Sequence, residues 1–120
     1  YDTLWIYKSK YMNKWFGNLS KIEAGKGYWI KVTEDCNLTV NGIKVKSANI
    51  SLRKGWNLIG ITSNSISLDN LNIAYTDVFA YDSQWIYKSK YMNKWFGSLD
   101  KIEAGKGYWI KVEDAMDLRT

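Results

Sequence analysis

The stretch Tyr11-Met12-Asn13-Lys14-Trp15-Phe16 sets three aromatic rings beside an amide and an ammonium group. Flat rings stack on the faces of sugars, and adjacent Asn and Lys side chains can hydrogen-bond hydroxyl groups. The same six residues recur as Tyr91-Met92-Asn93-Lys94-Trp95-Phe96. Tyr11, Asn13, Trp15, Phe16, Tyr91, Asn93, Trp95 and Phe96 are therefore the candidate ligand-binding residues. Two copies would hold one polysaccharide bivalently, which raises avidity without any new contact. The structural alternative is that Trp15 and Phe16 tuck beneath their loop as a satellite of the core. Lys interleaved with Trp and Tyr also suits a stacking platform for single-stranded nucleic acid. No nucleic-acid motif accompanies it, so nucleic acid is disfavoured as a partner.

Catalytic chemistry finds little support. The acids Asp2, Glu23, Asp82 and Glu103 fall in turns, one set per copy, where solvated carboxylates are the rule. Ser9-Lys10 and Ser89-Lys90 are adjacent, but nothing marks them as nucleophile and base. The sequence Gly25-Lys26-Gly27 lacks the spacing of a phosphate loop. Histidine is absent, which removes the commonest general base and metal ligand near neutral pH. No zinc or calcium spacing is present, and no cofactor is expected. The sole cysteine, Cys36, has Met116 as its counterpart and reads as an apolar filler. The chain is read as non-enzymatic.

These residues sit in a long internal repeat. Residues 81–112 repeat residues 1–32 with 28 of 32 positions identical. The net charge of +5 belongs to the repeat: residues 1–32 carry +4 and residues 81–112 carry +3, while residues 33–80 are neutral. Such charge is either a solvated face or an attraction to something anionic. Aromatic content is 16%. No apolar run approaches the roughly 18–20 residues of a membrane-spanning helix, so no membrane insertion is expected. The sequence starts and stops inside repeats and is read as a piece of a longer protein.

Local pattern places the candidate residues among short strands. Trp5-Ile6-Tyr7-Lys8 reads as a strand and residues 9–20 as a long loop, or a loop with one short turn, with Gly17 and Asn18 as turn residues and Leu19 and Ile22 as anchors. Tyr28-Trp29-Ile30-Lys31-Val32 reads as a strand with Tyr28, Ile30 and Val32 on one face. Leu38-Thr39-Val40, then Asn41-Gly42, then Ile43-Lys44-Val45-Lys46 reads as a hairpin with a type I′ turn. We expect it to pack on the strand at residues 56–61. A second hairpin is expected from Ile50-Ser51-Leu52 through Arg53-Lys54-Gly55 into a buried central strand, with Gly60 marking a close approach of another backbone or side chain. Residues 67–71 read as one helical turn capped by Ser67, and residues 77–81 as a strand. About ten short strands with little helix predict an all-β fold, a β-sandwich or barrel-like module of short antiparallel strands with an internal 80-residue repeat.

Gly55-Trp56-Asn57-Leu58-Ile59-Gly60, followed by Val78-Phe79-Ala80-Tyr81-Asp82, Trp85 and Gly105-Lys106-Gly107-Tyr108-Trp109-Ile110, resembles the GWNLIG…GYWI-type β-rich tandem repeats of bacterial and archaeal secreted and cell-surface proteins. Two departures are Ala24-Gly25 and Ala104-Gly105, where such repeats often carry Pro-Gly, and a second unit without its closing hairpin. The resemblance implies an extracellular or cell-surface setting and no catalytic residues. It divides the chain into residues 1–46, the C-terminal half of a first unit, and residues 47–120, a second unit; we expect one compact body to span both. Trp29, Trp56 and Trp109 are expected to supply much of the burial. The expected function is a structural or adhesive module, with carbohydrate binding through the repeated aromatic loops as the alternative. Expected partners are neighbouring repeat units, possible glycans, and a second copy pairing through an open C-terminal edge.

Overall fold

The structure is a computed structural model describing residues 7–39, 49–61, 64–81 and 83–120. It is all-β, and its sheets do not close into a barrel. In the first copy lie β1 (Ser9–Tyr11) and β2 (Lys14–Phe16). Then follow β3 (Asn49–Leu52), β4 (Gly55–Gly60), β5 (Ile66–Ser67), β6 (Asp77–Tyr81) and β7 (Trp85–Tyr91). The chain ends with β8 (Lys94–Phe96), β9 (Lys101–Ile102), β10 (Gly107–Val112) and β11 (Met116–Arg119). Five strands form one antiparallel sheet in the order β4-β10-β6-β7-β8. The ribbons β3–β11 and β5–β9 contribute to the core against one face of it.

Alternation decides which side of the sheet is buried. Cross-strand partners share a face. The registers Tyr108↔Ile59 and Ile110↔Val78 put these four residues on the same face. They meet Leu52 and Leu118 from one ribbon and Ile102 from the other, with Leu68 between. This core is aliphatic apart from Tyr108. The tryptophans do not supply it: the pleat turns Trp56 and Trp109 to the opposite side, and Trp29, which lies in no strand, is exposed. Ser67 caps a short 3-10 turn at Leu68–Asn70, its Oγ accepting the Asp69 N–H at 3.4 Å.

The expected second hairpin is instead a corner. β3 pairs with β11 and β4 with β10, so residues 53–55 carry the chain from a ribbon to the main sheet. Asn57 clamps this corner. Its Oδ1 accepts the Arg53 N–H at 3.0 Å, and its Nδ2 donates to the carbonyls of Arg53 at 2.9 Å and Gly55 at 3.2 Å. Gly55 supplies the positive φ of 97° that the bend needs. β4 is accordingly an edge strand of the main sheet rather than a central one.

The C-terminal strand expected to be open is paired on one side with β3. On its other side Asn72 imitates a strand: its Nδ2 donates to the Asp117 carbonyl at 3.2 Å, and its Oδ1 accepts the Arg119 N–H at 3.0 Å. Pairing with a second copy through this edge would have to displace Asn72.

The first copy keeps the local structure of the second without its tertiary setting. Leu19 N–H donates to the Tyr7 carbonyl and Leu99 N–H to the Tyr87 carbonyl, both at 3.1 Å. Glu23 N–H and Glu103 N–H donate to the hydroxyls of Tyr28 and Tyr108, both at 2.9 Å. Yet no strand forms at residues 28–32, where one was expected, whereas residues 107–112 form β10. Turns are set by near neighbours, but a strand exists only with a partner to share its hydrogen bonds. Ile22, expected to anchor to the core, is exposed, and so is Cys36, expected to be a filler; Ile102 and Met116 take those roles in the second copy. Residues 5–6 of the expected strand at residues 5–8 and residues 40–46 of the hairpin at residues 38–46, with its packing on residues 56–61, lie outside the described residues, and residues 7–8 belong to no strand.

Candidate functional site

The region expected to be a long loop contains a tight hairpin in each copy. β1 pairs with β2 and β7 with β8 across two-residue turns at Met12-Asn13 and Met92-Asn93. All four turn residues have positive φ, between 49° and 64°, the signature of a type I′ turn. Asn13 and Asn93 are thus turn-forming residues, in a conformation asparagine tolerates well.

The hairpin pleat separates the candidate aromatics. Ser9↔Phe16 and Tyr11↔Lys14 put Tyr11 and Phe16 on one side, and Lys10↔Trp15 puts Trp15 on the other. Phe96 and Tyr91 are likewise parted from Trp95. All six rings are exposed. Trp15 and Trp95 are held by cations: Lys8 and Lys10 lie 5.3 and 5.8 Å from the Trp15 ring centre, and Lys88 and Lys90 lie 4.9 and 5.8 Å from that of Trp95.

Around Trp95 the second copy adds a wall that the first lacks among the described residues. Tyr75 packs on Trp95 with centroids 5.3 Å apart. Lys88 Nζ donates to Tyr75 Oη at 3.3 Å and pairs with Asp69 at 3.5 Å. Burial pulls the Lys88 pKa down, but the Tyr75 hydrogen bond and the Asp69 charge more than offset it, and the net shift is upward. A groove of about 460 Å³ opens here, lined by Ile66, Asp69, Lys88, Trp95 and Lys101 among others.

The larger aromatic surface lies on the outward face of the main sheet, and the loop-centred reading of the sequence missed it. The registers Trp109↔Phe79, Phe79↔Tyr87, Tyr81↔Trp85 and Lys111↔Trp56 put these residues on that one face. Phe79 stacks on Tyr87 at 5.5 Å and meets the edges of Trp56 at 5.6 Å and Trp85 at 6.2 Å. Trp29, from the first copy, extends the belt to Tyr81 at 5.8 Å and Trp85 at 6.2 Å. Trp29, Trp56, Tyr81, Trp85 and Tyr87 are exposed. The signal was available in the alternation of Phe79 with Tyr81 and of Trp85 with Tyr87 on either side of a short turn.

The two copies meet at the free edge of β4. Gly27 N–H donates to the Leu58 carbonyl at 3.2 Å, and Gly60 N–H donates to the Gly25 carbonyl at 3.3 Å. Lys26 bridges Ile59 between them. A Cβ on Gly27 would lie 2.8 Å from the Ile59 carbonyl oxygen, and one on Gly60 would lie 3.1 Å from that of Lys26. The backbone approach anticipated at Gly60 is this contact.

Glu23 and Glu103 sit at equivalent turns, each ion-paired at 2.8 Å, to Lys26 and Lys106 respectively. The hydrogen bonds and charges of these lysines hold both carboxyls below their ordinary pKa. Among the described residues no three potential metal-ligating side chains converge, and no helix is long and apolar enough to cross a membrane. No family model, curated protein or solved structure matches the chain.

Proposed function

We propose that the chain is a non-catalytic structural or adhesive repeat module of a larger surface or secreted protein. The observation that carries this reading is the joint between copies: residues 25–27 of one copy hydrogen-bond to the edge of β4 in the next unit, while Trp29 packs on Tyr81 and Trp85. Backbone bonding to an exposed strand edge together with ring packing is how repeat units join into extended arrays. Glycine on both sides lets the backbones approach: a Cβ on Gly27 would clash with the Ile59 carbonyl, and one on Gly60 would crowd that of Lys26.

A second reading, carbohydrate binding, is favoured by the exposed belt of Trp56, Tyr81, Trp85, Tyr87 and Trp29. Both readings meet one test, a tryptophan-fluorescence titration against a panel of polysaccharides at low and high salt. The structural reading expects no saturable shift with any glycan. A salt-tolerant shift would replace it with the carbohydrate reading. Loss of that shift in Trp56→Ala plus Trp85→Ala would assign the sheet face, and loss in Trp15→Ala plus Trp95→Ala the hairpins.

A further inference from the structure

Equivalent positions are buried in one copy and bare in the other. Ile110 is 0% exposed and Ile30 is 68% exposed; Leu118 is 0% exposed and Leu38 is 67% exposed. Ile102 and Val112 are buried too, while their counterparts Ile22 and Val32 are exposed. What covers the second copy is the segment before it. Leu52, Ile59, Ile61, Leu68 and Val78, all from residues 49–80, pack against Ile102, Tyr108, Ile110, Val112 and Leu118. Among the described residues no such segment lies over Ile22, Ile30, Val32 and Leu38.

We infer that the apolar face of residues 22–38 is a docking site for the front half of another repeat unit, a segment with the features of residues 49–80 joined ahead of Tyr1. This rests on the repeat-module reading and names its partner. Residues 107–112 show how the face is used: one edge of the strand takes a Gly-Trp-Asn-Leu-Ile-Gly strand and the other takes an Asp-Val-Phe-Ala-Tyr strand. Residues 27–32 are identical in sequence to residues 107–112 and belong to no strand. A second copy of this chain is not the occupant. Its front half already covers its own residues 102–118, and lending it would uncover a face equal to the one it covered. Apolar burial drives such docking, and an exchange without net burial has no driving force. A front half joined ahead of Tyr1 meets the first copy through the same connection that residues 49–80 make to Tyr81, since Tyr1 is the counterpart of Tyr81.

The test is an extended chain in which a duplicate of residues 49–80 precedes Tyr1, compared with the original by amide hydrogen exchange. Amides of Ile22, Tyr28, Ile30 and Val32 are expected to gain protection of about a thousand-fold or more, matching their counterparts in the second copy. Ile30→Ser should remove that gain in the extended chain and leave exchange in the second unit of the original chain unchanged. Unprotected amides at these positions, with Tyr108 and Ile110 still protected, would overturn the inference. If the extension disturbs the second unit, a peptide of residues 49–80 added to the original chain provides the second measurement. Saturable protection of the same four amides supports the inference, and none overturns it. Concentration-dependent protection in the original chain alone, with a dimer in sedimentation, would assign the face to a second copy and also overturn it. Failure here leaves the glycan titration unaffected, so it is distinguishable from failure of the structural reading.

Discussion

The hydroxyl of Tyr108 accepts the backbone N–H of Glu103 at 2.9 Å, bridging the turn that leads into β10. The Tyr108 ring is buried and its hydroxyl has this bond, so Tyr108→Phe removes one hydrogen bond and little else. The expected loss is about 1 kcal/mol, read by urea unfolding. Tyr28→Phe, which removes the same bond in the first copy, should leave the main unfolding transition unmoved.

Ile110→Ala and Ile30→Ala change the same residue in the same local sequence. Ile110 is fully buried, and its truncation should cost about 2–5 kcal/mol. Ile30 is exposed, and its truncation should change stability by no more than about 0.5 kcal/mol. Equal effects in chemical unfolding would show that the first copy is buried in solution.

Gly97 has φ near 107°, and a Cβ there would lie 2.0 Å from the Tyr87 carbonyl oxygen. Gly97→Ala must therefore shift the β8 exit away from β7, at a cost of about 2 kcal/mol or more. The matching Gly17→Ala strains the first hairpin equally, but it should be read in local hydrogen exchange at residues 9–19 rather than in the global melting temperature.

Acid should loosen the turn at residues 103–106. The Glu103 carboxyl titrates below its ordinary value in the folded state, chiefly through the Lys106 hydrogen bond and charge. A lowered folded pKa means that the stabilisation is complete above the unfolded value. It is lost as pH falls through the ordinary carboxylate range towards the lowered value. Glu103→Gln should flatten this part of the stability-against-pH curve. A curve with an unchanged acid limb would remove Glu103 as a contributor.

Asn57 holds the corner between β3 and β4 through three backbone bonds. Asn57→Ala leaves them unmade and should cost about 1–3 kcal/mol. Asn57→Asp retains the acceptor for Arg53 N–H but sets a carboxylate oxygen against the carbonyls of Arg53 and Gly55, so it should not recover the parent's stability in thermal unfolding.

What the sequence made legible was whatever depends on near neighbours. The Ser67 cap, the β6 strand and the inward alternation of Tyr108, Ile110 and Val112 could all be read from a few adjacent residues. The hairpin at Met12-Asn13 was hidden because methionine at positive φ is uncommon and neither turn residue is glycine. The β3–β4 corner was hidden because a short Gly-containing loop between strands has the sequence of a hairpin, and only the distant partners β11 and β10 decide otherwise. Of the aromatic belt, the alternation of Phe79 with Tyr81 and of Trp85 with Tyr87 was legible, but its assembly across four strands was not. Burial of residues 22–32 was not legible at all, since their sequence is identical to that of residues 102–112 and the two have different outcomes in one chain.

That identity also has a kinetic side. One front half, residues 49–61, hydrogen-bonds to both back halves, at residues 25–27 and at residues 107–112. Folding therefore includes a choice between two near-identical ends, and the final structure requires the later one to win the sheet. Refolding from denaturant should show a slow phase as early pairings are undone, and Ile30→Ser, by weakening only the earlier competitor, should speed it.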